Sequence, residues 1–368
     1  MIRCLRVLLI AFPVTLLAQS ASAPATPSFE QIARQAEQAR NSNHDDDAIR
    51  LYQRGLELRP DWDEGLWYLA TLQYEKEHFW EARDLLRHFV AQNANHGPAW
   101  ALLGLSEYKN REYARALAHL QQSLTLGLGD RKELATSVFY FKAVLLTRFE
   151  QYHDALALLY QMRGTGQDQG PLEEPAGLAV LGYPLLPEEV PAGRRELVRL
   201  AGAGAFARTD QRRPEAEKLF RKMVDEFPAD PGVHYQYGLL LLEDRPAEGI
   251  EEMHKELAIS PSHIAARLRL AEYFLAQSQP EKARPYVDEV LKLEPRDASG
   301  HLLMGETLAS TGDTAGAIRE LELAKGLAPG RGRVLWALLR AYMAAGRSDD
   351  ADRIKAEIEK AGQTEVPK

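Results

Sequence analysis

Apolar residues along this chain recur at the spacing of a single helix face. Trp100 and Leu103 belong to one such stripe, and Leu117 and Leu120 belong to the next. Residues at i, i+3, i+4 and i+7 lie on one side of a helix, so each stripe predicts a helix with one buried face. Alanine, leucine, glutamate and arginine are abundant and runs of β-branched residues are scarce, which also favours helix. The pattern therefore predicts an all-α fold.

Small residues within these stripes repeat with a period of 34 residues. Alanine or glycine follows a short polar turn at Ala48, Ala82, Ala116, Ala155, Ala216, Gly249, Ala283, Ala317 and Ala351. Another small residue stands twelve positions earlier in most units, at Ala36, Ala70, Gly104, Ala143, Gly204, Ala271 and Gly305. Gly238 precedes Gly249 by only eleven positions, so that unit loses one residue in its turn near Pro246. Two antiparallel helices approach closely only where their side chains are small, so the spacing predicts a series of helix pairs.

One of these pairs resembles the tetratricopeptide repeat, because Trp100-x-x-Leu103-Gly104 is followed by Ala116 and Leu120. Two further pairs resemble the same signature. One contains Leu270-Ala271 with Ala283, Val287 and Pro295, and the other contains Met304-Gly305 with Ala317, Leu321 and Pro329. Nine units follow this phase, at 29–62, 63–96, 97–130, 136–169, 197–230, 231–263, 264–297, 298–331 and 332–365. The resemblance implies a right-handed α-α superhelical solenoid of about nine tetratricopeptide-like helix pairs, whose first helices line a concave groove.

Two interruptions divide the predicted array. About five extra residues lengthen the link at 128–135, and a larger break covers 163–196. The larger break contains six glycines together with Pro171, Pro175, Pro184, Pro187 and Pro191. Such a density of helix-breaking residues predicts a Pro/Gly-rich linker loop that lies on the solenoid, either as a spacer or as a functional elbow. We therefore expect an N-terminal array of about four repeats at 24–162 and a C-terminal array of about five at 197–368.

The first 23 residues have the pattern of a cleaved signal peptide. Arg3 and Arg6 precede an apolar stretch at 7–18, and Ala21-Ser22-Ala23 predicts cleavage after Ala23. The apolar stretch is shorter than the roughly 20 residues that span a bilayer. Cleavage would change the net charge from -8 to -10, because two of the 45 basic residues are lost. It would also remove the single cysteine, Cys4. We expect an exported protein, periplasmic or secreted, without disulfides and without stable membrane insertion after cleavage.

The resemblance also implies which residues face the groove. In similar repeats these are positions 2, 5, 9 and 12 of each unit. The residues predicted to contact a partner in this way are Trp67, Thr71, Tyr74, Tyr108, Tyr140, Tyr235, Leu268, Trp336 and Arg340. Aromatic residues are concentrated between positions 62 and 141. Exposed aromatic side chains are common anchors of protein interfaces, but at helical spacing they are also common in a core.

No catalytic, cofactor-binding or metal-binding residues are predicted. The ten histidines include no pair at i and i+4 that could hold zinc, and no glycine-rich loop has the form of a phosphate site. The acidic net charge disfavours nucleic acid as a partner. The Lys and Asn clamp with which similar repeats bind a peptide C-terminal carboxylate is missing, since its positions 5 and 9 hold residues such as Trp67 and Thr71.

These observations predict a non-catalytic scaffold that binds a protein or peptide in the groove of the solenoid. The alternative is a structural or assembly component of a cell-envelope complex, such as a secretion, pilus or outer-membrane machine, which would use its edges. A third possibility is glycan recognition by the aromatic cluster, which would require Trp67, Tyr74 and Tyr108 on one open surface.

Overall fold

The regular structure of the chain is helical, as predicted. The computed structural model describes residues 27–164 and 170–364, which contain nineteen α-helices, two short 3-10 turns and no strand. None of the helices in these residues is long and apolar enough to cross a membrane. The predicted signal peptide at 1–23 and its cleavage site after Ala23 lie outside the described residues. The chain divides into two compact units, Met1–Asp130 and Arg131–Lys368.

The described part of the first unit consists of three helix pairs. The helices are α1 (Phe29–Asn41), α2 (Asp45–Leu58), α3 (Asp63–Glu75), α4 (Phe79–Gln92), α5 (Gly97–Lys109) and α6 (Tyr113–Leu126). Within each pair the two helices pack together, and α2 packs on α3 as α4 packs on α5. Each pair therefore buries its apolar face partly within itself and partly against the next pair.

The described part of the second unit consists of six helix pairs and one further helix. The helices are α7 (Lys132–Arg148), α8 (Tyr152–Gly164), α9 (Gly170–Leu181), α10 (Arg195–Thr209), α11 (Arg213–Glu226), α12 (Val233–Leu241), α13 (Pro246–Ile259), α14 (Ile264–Ala276), α15 (Pro280–Leu293), α16 (Ala298–Ser310), α17 (Thr314–Leu327), α18 (Gly332–Ala344) and α19 (Ser348–Thr364). The helix that stands outside the pairs is α9. Together the two units contain the nine helix pairs that the sequence predicts.

The small residues lie where the two helices of a pair cross, as predicted. A Cβ atom added to Gly104 would lie 3.1 Å from the Ala116 carbonyl oxygen and 2.9 Å from the Leu120 side chain. A Cβ atom at Gly305 would lie 3.2 Å from the carbonyl oxygen of Ala317. The backbones of each pair are thus close enough to exclude larger side chains, which explains the constant spacing of twelve residues.

The turn inside each pair repeats one backbone conformation. In eight of the nine pairs the second residue of the turn has a positive φ angle, which is the left-handed backbone conformation. These residues are Asn43, Glu77, Arg111, Glu150, Gln211, Ser278, Gly312 and Gly346. This conformation ends the first helix and reverses the chain. The turn between α12 and α13 contains no left-handed residue, because this is the unit with one residue fewer. The missing residue predicted near Pro246 is therefore the one that makes the usual turn.

The prediction of a linker loop at 163–196 is wrong, because helix α9 occupies part of this segment. Pro171 lies in the first turn of α9, where a missing backbone N–H costs little, and Pro175 is accommodated inside the helix. Leu178 and Leu181 are buried in a core shared with α10. The remaining prolines follow α9, in an irregular stretch that contains the 3-10 turns Pro187–Glu189 and Ala192–Arg194.

The structure also divides the chain at a different place. Helix α9 packs on both α8 and α10, so the helical part of this segment, Gly170–Leu181, joins the helices before and after it. The boundary of the two units follows Asp130, within the lengthened link at 128–135.

A cluster of charged side chains connects neighbouring pairs of the first unit. Arg87 of α4 donates to Glu107 of α5 at 2.8 Å and to Glu112 at 2.6 Å, and Glu112 also accepts from Arg83 and Arg115. Glu107 is fully buried and lies 2.6 Å from the Nδ1 atom of His119. Burial acts to raise the pKa of Glu112, but the hydrogen bonds from the three arginines outweigh it and lower this pKa to about 2.

Replacing Glu112 by glutamine should destabilise the first unit in a pH-dependent way. The lowered pKa means that ionised Glu112 stabilises the fold above about pH 4.5, and that this contribution is lost as the pH falls towards 2. We expect the variant to lose about 2 kcal/mol near pH 7 and progressively less below pH 4.5. Urea denaturation of both proteins across this pH range measures the difference. Glu81→Gln, an exposed position on α4, serves as control. A difference that does not change with pH would contradict the assignment.

Candidate functional site

Two adjoining clefts lie on one face of the second unit, along the first helices of its pairs. The first has a volume of about 520 Å³ and is lined mainly by α14, α16 and α18; the second, of about 540 Å³, is lined by α10, α12 and α14. They share Glu272, Ala276 and Arg333, so they form one surface, which we call the groove. Its other charged and apolar lining residues include Arg208, Leu239, Leu242, Glu243, Arg269, Leu275, Glu306, Ala309, Ala337 and Arg340.

The lining follows the position rule that the resemblance implies. Glu272, Glu306 and Arg340 are the ninth residues of their units, and Arg208 and Leu242 are twelfth residues. A helix presents residues three and four apart on the same side, so the repeat places the same positions at the surface in each unit. Helix packing therefore positions the groove residues: each first helix buries one face in its pair and leaves the opposite face at the cleft.

The end of the groove is formed by one face of α18. Arg333, Trp336, Arg340 and Met343 follow each other at intervals of three, four and three residues, which places them on one side of the helix. Arg333 and Arg340 line the cleft. Trp336 is 51% exposed and Met343 is 67% exposed. This face combines two guanidinium groups with two large apolar side chains that no neighbouring helix covers.

The glutamates of the groove are all neutralised by arginines. Arg333 donates to Glu306 at 2.7 and 3.2 Å and to Glu272 at 2.7 Å. These contacts, with that to Glu306 the strongest, raise the pKa of Arg333 above its ordinary value. Arg269 lies 3.2 Å from Glu272, and Arg213 donates to Glu243 at 2.6 Å. Arg333 therefore links three successive first helices, α14, α16 and α18.

Two arginines of the groove are left without an acidic partner. Among the described residues, no ion pair or side-chain hydrogen bond involves Arg208 or Arg340. Arg208 lines the cleft at α10, and Arg340 lines the cleft at α18. The groove therefore carries an unneutralised guanidinium at each of its two end helices.

The predicted contact residues fall into two groups. Arg340 lines the groove and Trp336 lies on the same face of α18, whereas Tyr235 and Leu268 are half-buried against the core around α14. The ring of Tyr235 lies 4.7 Å from that of His263. Sequence reasoning did not select Arg208, Arg269 or Arg333 as contact residues, although Arg208 and Arg333 occupy positions 12 and 2 of their units.

The remaining predicted residues are mainly engaged in packing. Trp67 lies 4.8 Å from the ring of His96, and Thr71 donates to the Trp67 carbonyl oxygen at 2.6 Å. Tyr74 meets Phe79 edge to face at 5.5 Å. Tyr140 is half-buried, with its ring 5.2 Å from that of Phe141. Tyr108 is only 6% exposed, with its ring 5.7 Å from that of Tyr113. Because Tyr108 is buried, the three aromatic residues of the glycan hypothesis do not share an open surface.

The polar clusters elsewhere in the second unit join repeats to each other. His234 lies 2.5 Å from Glu252 and 2.9 Å from the Pro228 carbonyl oxygen. His301 makes the equivalent contacts to Glu320 and Pro295 in a later repeat. Each imidazole therefore connects the end of one pair to the second helix of the next. Within the described residues no group of three or more His, Cys, Asp or Glu side chains could hold a metal ion.

Comparison with known proteins agrees with this repeat structure. A family model described as tetratricopeptide repeat matches residues 69–131, which include α4 to α6, and residues 268–332, which include α15 to α17. No curated protein matches the sequence.

Several solved structures align with about half of the chain at low sequence identity. A MamA double mutant (MamA RS-1 ArsTM) has 18% identity and a TM-score of 0.42, and covers 46% of this chain and 96% of its own. A crystal structure of MamA has 18% identity, a TM-score of 0.41, and coverage of 47% and 97%. MamA 41-end from Desulfovibrio magneticus RS-1 has 20% identity, a TM-score of 0.39, and coverage of 46% and 94%.

The matched regions contain the small residues whose spacing predicted the helix pairs, Ala70, Gly104 and Ala116 in one and Ala271, Gly305 and Ala317 in the other. These two regions of the chain, residues 69–131 and 268–332, therefore consist of tetratricopeptide repeats.

Proposed function

We propose that this protein is a non-catalytic scaffold that binds a protein or peptide segment in the groove of its second unit. The observation that carries the proposal is the face of α18, where Trp336 and Met343 are exposed beside Arg340. Large apolar side chains are usually covered in a folded protein, and exposed tryptophan and arginine are the residues most often central to interfaces. Tetratricopeptide repeats commonly act in protein–protein interaction, which is consistent with this use.

The groove is better suited to binding a chain than to catalysis. Each glutamate of its lining is held in an ion pair with an arginine, so the groove has no unpaired carboxylate. An open surface of this kind also offers none of the enclosure that excludes water from a reaction. As part of the same proposal the protein is exported, as residues 1–23 predict, and its partner shares that compartment.

Site-specific photo-crosslinking in the native host tests the proposal. A photoreactive phenylalanine analogue at Trp336 should capture one protein, which mass spectrometry would identify. The matched control is Leu323 on α17, because both side chains are 51% exposed but Leu323 does not line the groove. Purified chain should bind the captured protein, and Trp336→Ala should weaken that binding by about tenfold or more, as expected for an interface anchor.

The opposite result would favour the envelope-component alternative. If position 336 captures nothing while position 323 or the chain ends react, contact occurs through other surfaces and the groove proposal fails. The same conclusion follows if a captured partner binds the Trp336→Ala variant as tightly as it binds the unmodified protein.

A further inference from the structure

We propose that the ligand of the groove is an extended acidic peptide segment, whose carboxylates pair with Arg208 and Arg340. This inference rests on the proposed function and specifies the chemistry of the partner. It starts from the two guanidinium groups that have no acidic partner in the described structure.

The charge of the groove is opposite in sign to that of the whole protein. Its lining contains four arginines, Arg208, Arg269, Arg333 and Arg340, and three glutamates, Glu243, Glu272 and Glu306. The glutamates are paired with Arg213, Arg269 and Arg333. The lining therefore carries one more positive than negative charge, and Arg208 and Arg340 are its arginines without a carboxylate partner among the described residues, on a chain whose net charge is -8. An acidic protein that keeps free arginines in one cleft is complementary there to an anionic ligand.

The position of the two arginines favours a peptide over a small anion. Arg208 lies on α10 and Arg340 on α18, and the three first helices α12, α14 and α16 come between them. Packed helices lie about 8–10 Å apart, so four steps cover roughly 30–40 Å. An extended chain rises about 3.3 Å per residue, so roughly ten to twelve residues cover this distance. A single small carboxylate cannot reach both arginines.

The lining between the two ends suits the rest of such a segment. Leu239, Leu242 and Leu275 provide apolar surface along the groove, and Trp336 and Met343 flank Arg340 at its end. We therefore expect a peptide segment with acidic residues at both ends. Near the end that binds Arg340 of α18, it should also carry at least one apolar side chain. Guanidinium groups bind carboxylates through paired hydrogen bonds, which makes Arg208 and Arg340 the specificity residues.

Selection from a random peptide library tests this inference even before the partner protein is identified. Phage-displayed peptides of about twelve residues would be selected on the purified protein, and the enriched peptides synthesised for fluorescence anisotropy. Aspartate and glutamate should be enriched over the starting library. Arg208→Gln and Arg340→Gln should each weaken binding about tenfold, and binding should weaken as salt increases. Arg319→Gln on α17, an exposed arginine outside the groove, should bind as the unmodified protein does.

The possible failures separate the two levels of the proposal. If the enriched peptides are neutral or basic and bind through Trp336, so that Trp336→Ala abolishes binding and the two arginine variants do not affect it, the acidic ligand is refuted and the groove function stands. If no peptide is enriched, or if enriched peptides bind all groove variants equally well, the groove function fails together with this inference. Circular dichroism of each variant confirms that the helices are retained.

Discussion

Replacing Gly177 by alanine is expected to destabilise the second unit by about 3 kcal/mol, at the upper end for overpacking, because the obstructing atoms belong to the backbone. A Cβ atom at this position would lie 1.7 Å from the Val198 carbonyl oxygen of α10. A real Cβ does not approach an oxygen so closely, and the carbonyl belongs to a helix that is itself buried. Alanine therefore forces α9 and α10 apart, which exposes Leu178 and Leu181 of the shared core.

Chemical denaturation followed by circular dichroism measures this loss. Gly202→Ala on α10 should act in the same direction, since its Cβ would lie 1.9 Å from the Glu173 carbonyl oxygen. The matched control is Gly326→Ala on α17, where an added Cβ atom would have no other part of the structure within 4 Å apart from its own helix backbone. Alanine is a better helix former than glycine, so this control should be as stable as the unmodified protein or up to about 1 kcal/mol more stable. If Gly177→Ala behaves like Gly326→Ala, α9 does not pack closely on α10 and residues 163–196 are the loop that the sequence suggests.

The helix pairs could be predicted from the sequence because the cause is local and repeated. The contact of Gly104 with Ala116 requires small side chains at a fixed spacing, and the same requirement recurs at Gly305 and Ala317. Repetition makes such a signal visible, since each unit is an independent instance. The sequence also predicted the one irregular pair. Gly238 and Gly249 are eleven positions apart and not twelve, and the turn between α12 and α13 contains no residue in the left-handed conformation.

Helix α9 could not be predicted in the same way, because it occurs once and its glycine serves tertiary packing. In isolation Pro175 and Gly177 disfavour a helix. In the folded chain Gly177 permits the close crossing with α10, and burial of Leu178 compensates for the poor intrinsic propensity. A residue type that breaks a helix locally can therefore be required by the contact between two helices.

The groove was only partly predictable for a related reason. The position rule identifies Arg340 and Trp336, because it follows from the repeat itself. It does not tell exposed aromatics from covered ones: Tyr108 occupies a groove position but is buried beside Tyr113. Nor does it show that Arg333 neutralises Glu272, a pair separated by 61 residues in the sequence. Which charges remain free, and therefore which ligand fits, depends on contacts between repeats.

Helix α12 depends on a carboxylate supplied by its partner helix. This helix is only nine residues long, and its N-cap is Gly232, which has no side chain to accept a hydrogen bond. The fully buried Glu256 of α13 takes that role, accepting from the backbone N–H of Gly232 at 2.8 Å and of Tyr235 at 3.2 Å. A negative charge at this end also interacts favourably with the helix dipole. Glu256 thus ties the shortest helix of the unit to its pair.

Replacing Glu256 by alanine should therefore cost about 3–4 kcal/mol, because one buried and one partly buried N–H group lose their acceptor and a cavity remains. Glu256→Gln retains one oxygen and most of the volume, so its loss should be smaller. The control is Glu251→Ala on the same helix, whose side chain is 70% exposed and pairs only with Lys255; it should change the stability by less than about 0.5 kcal/mol. Urea denaturation gives these values.

Hydrogen exchange locates the effect, since the amides of Gly232 and Tyr235 should lose protection in the alanine variant and keep it in the control. The change should also reach the groove, because Leu239 and Leu242 project from α12 and the residue after it into the cleft. A loosened α12 would move these side chains and weaken peptide binding, whereas the distant Arg340 would be unaffected. If Glu256→Ala is no more destabilising than Glu251→Ala, the buried carboxylate does not hold α12, and the stability of this shortest pair must come from its apolar contacts alone.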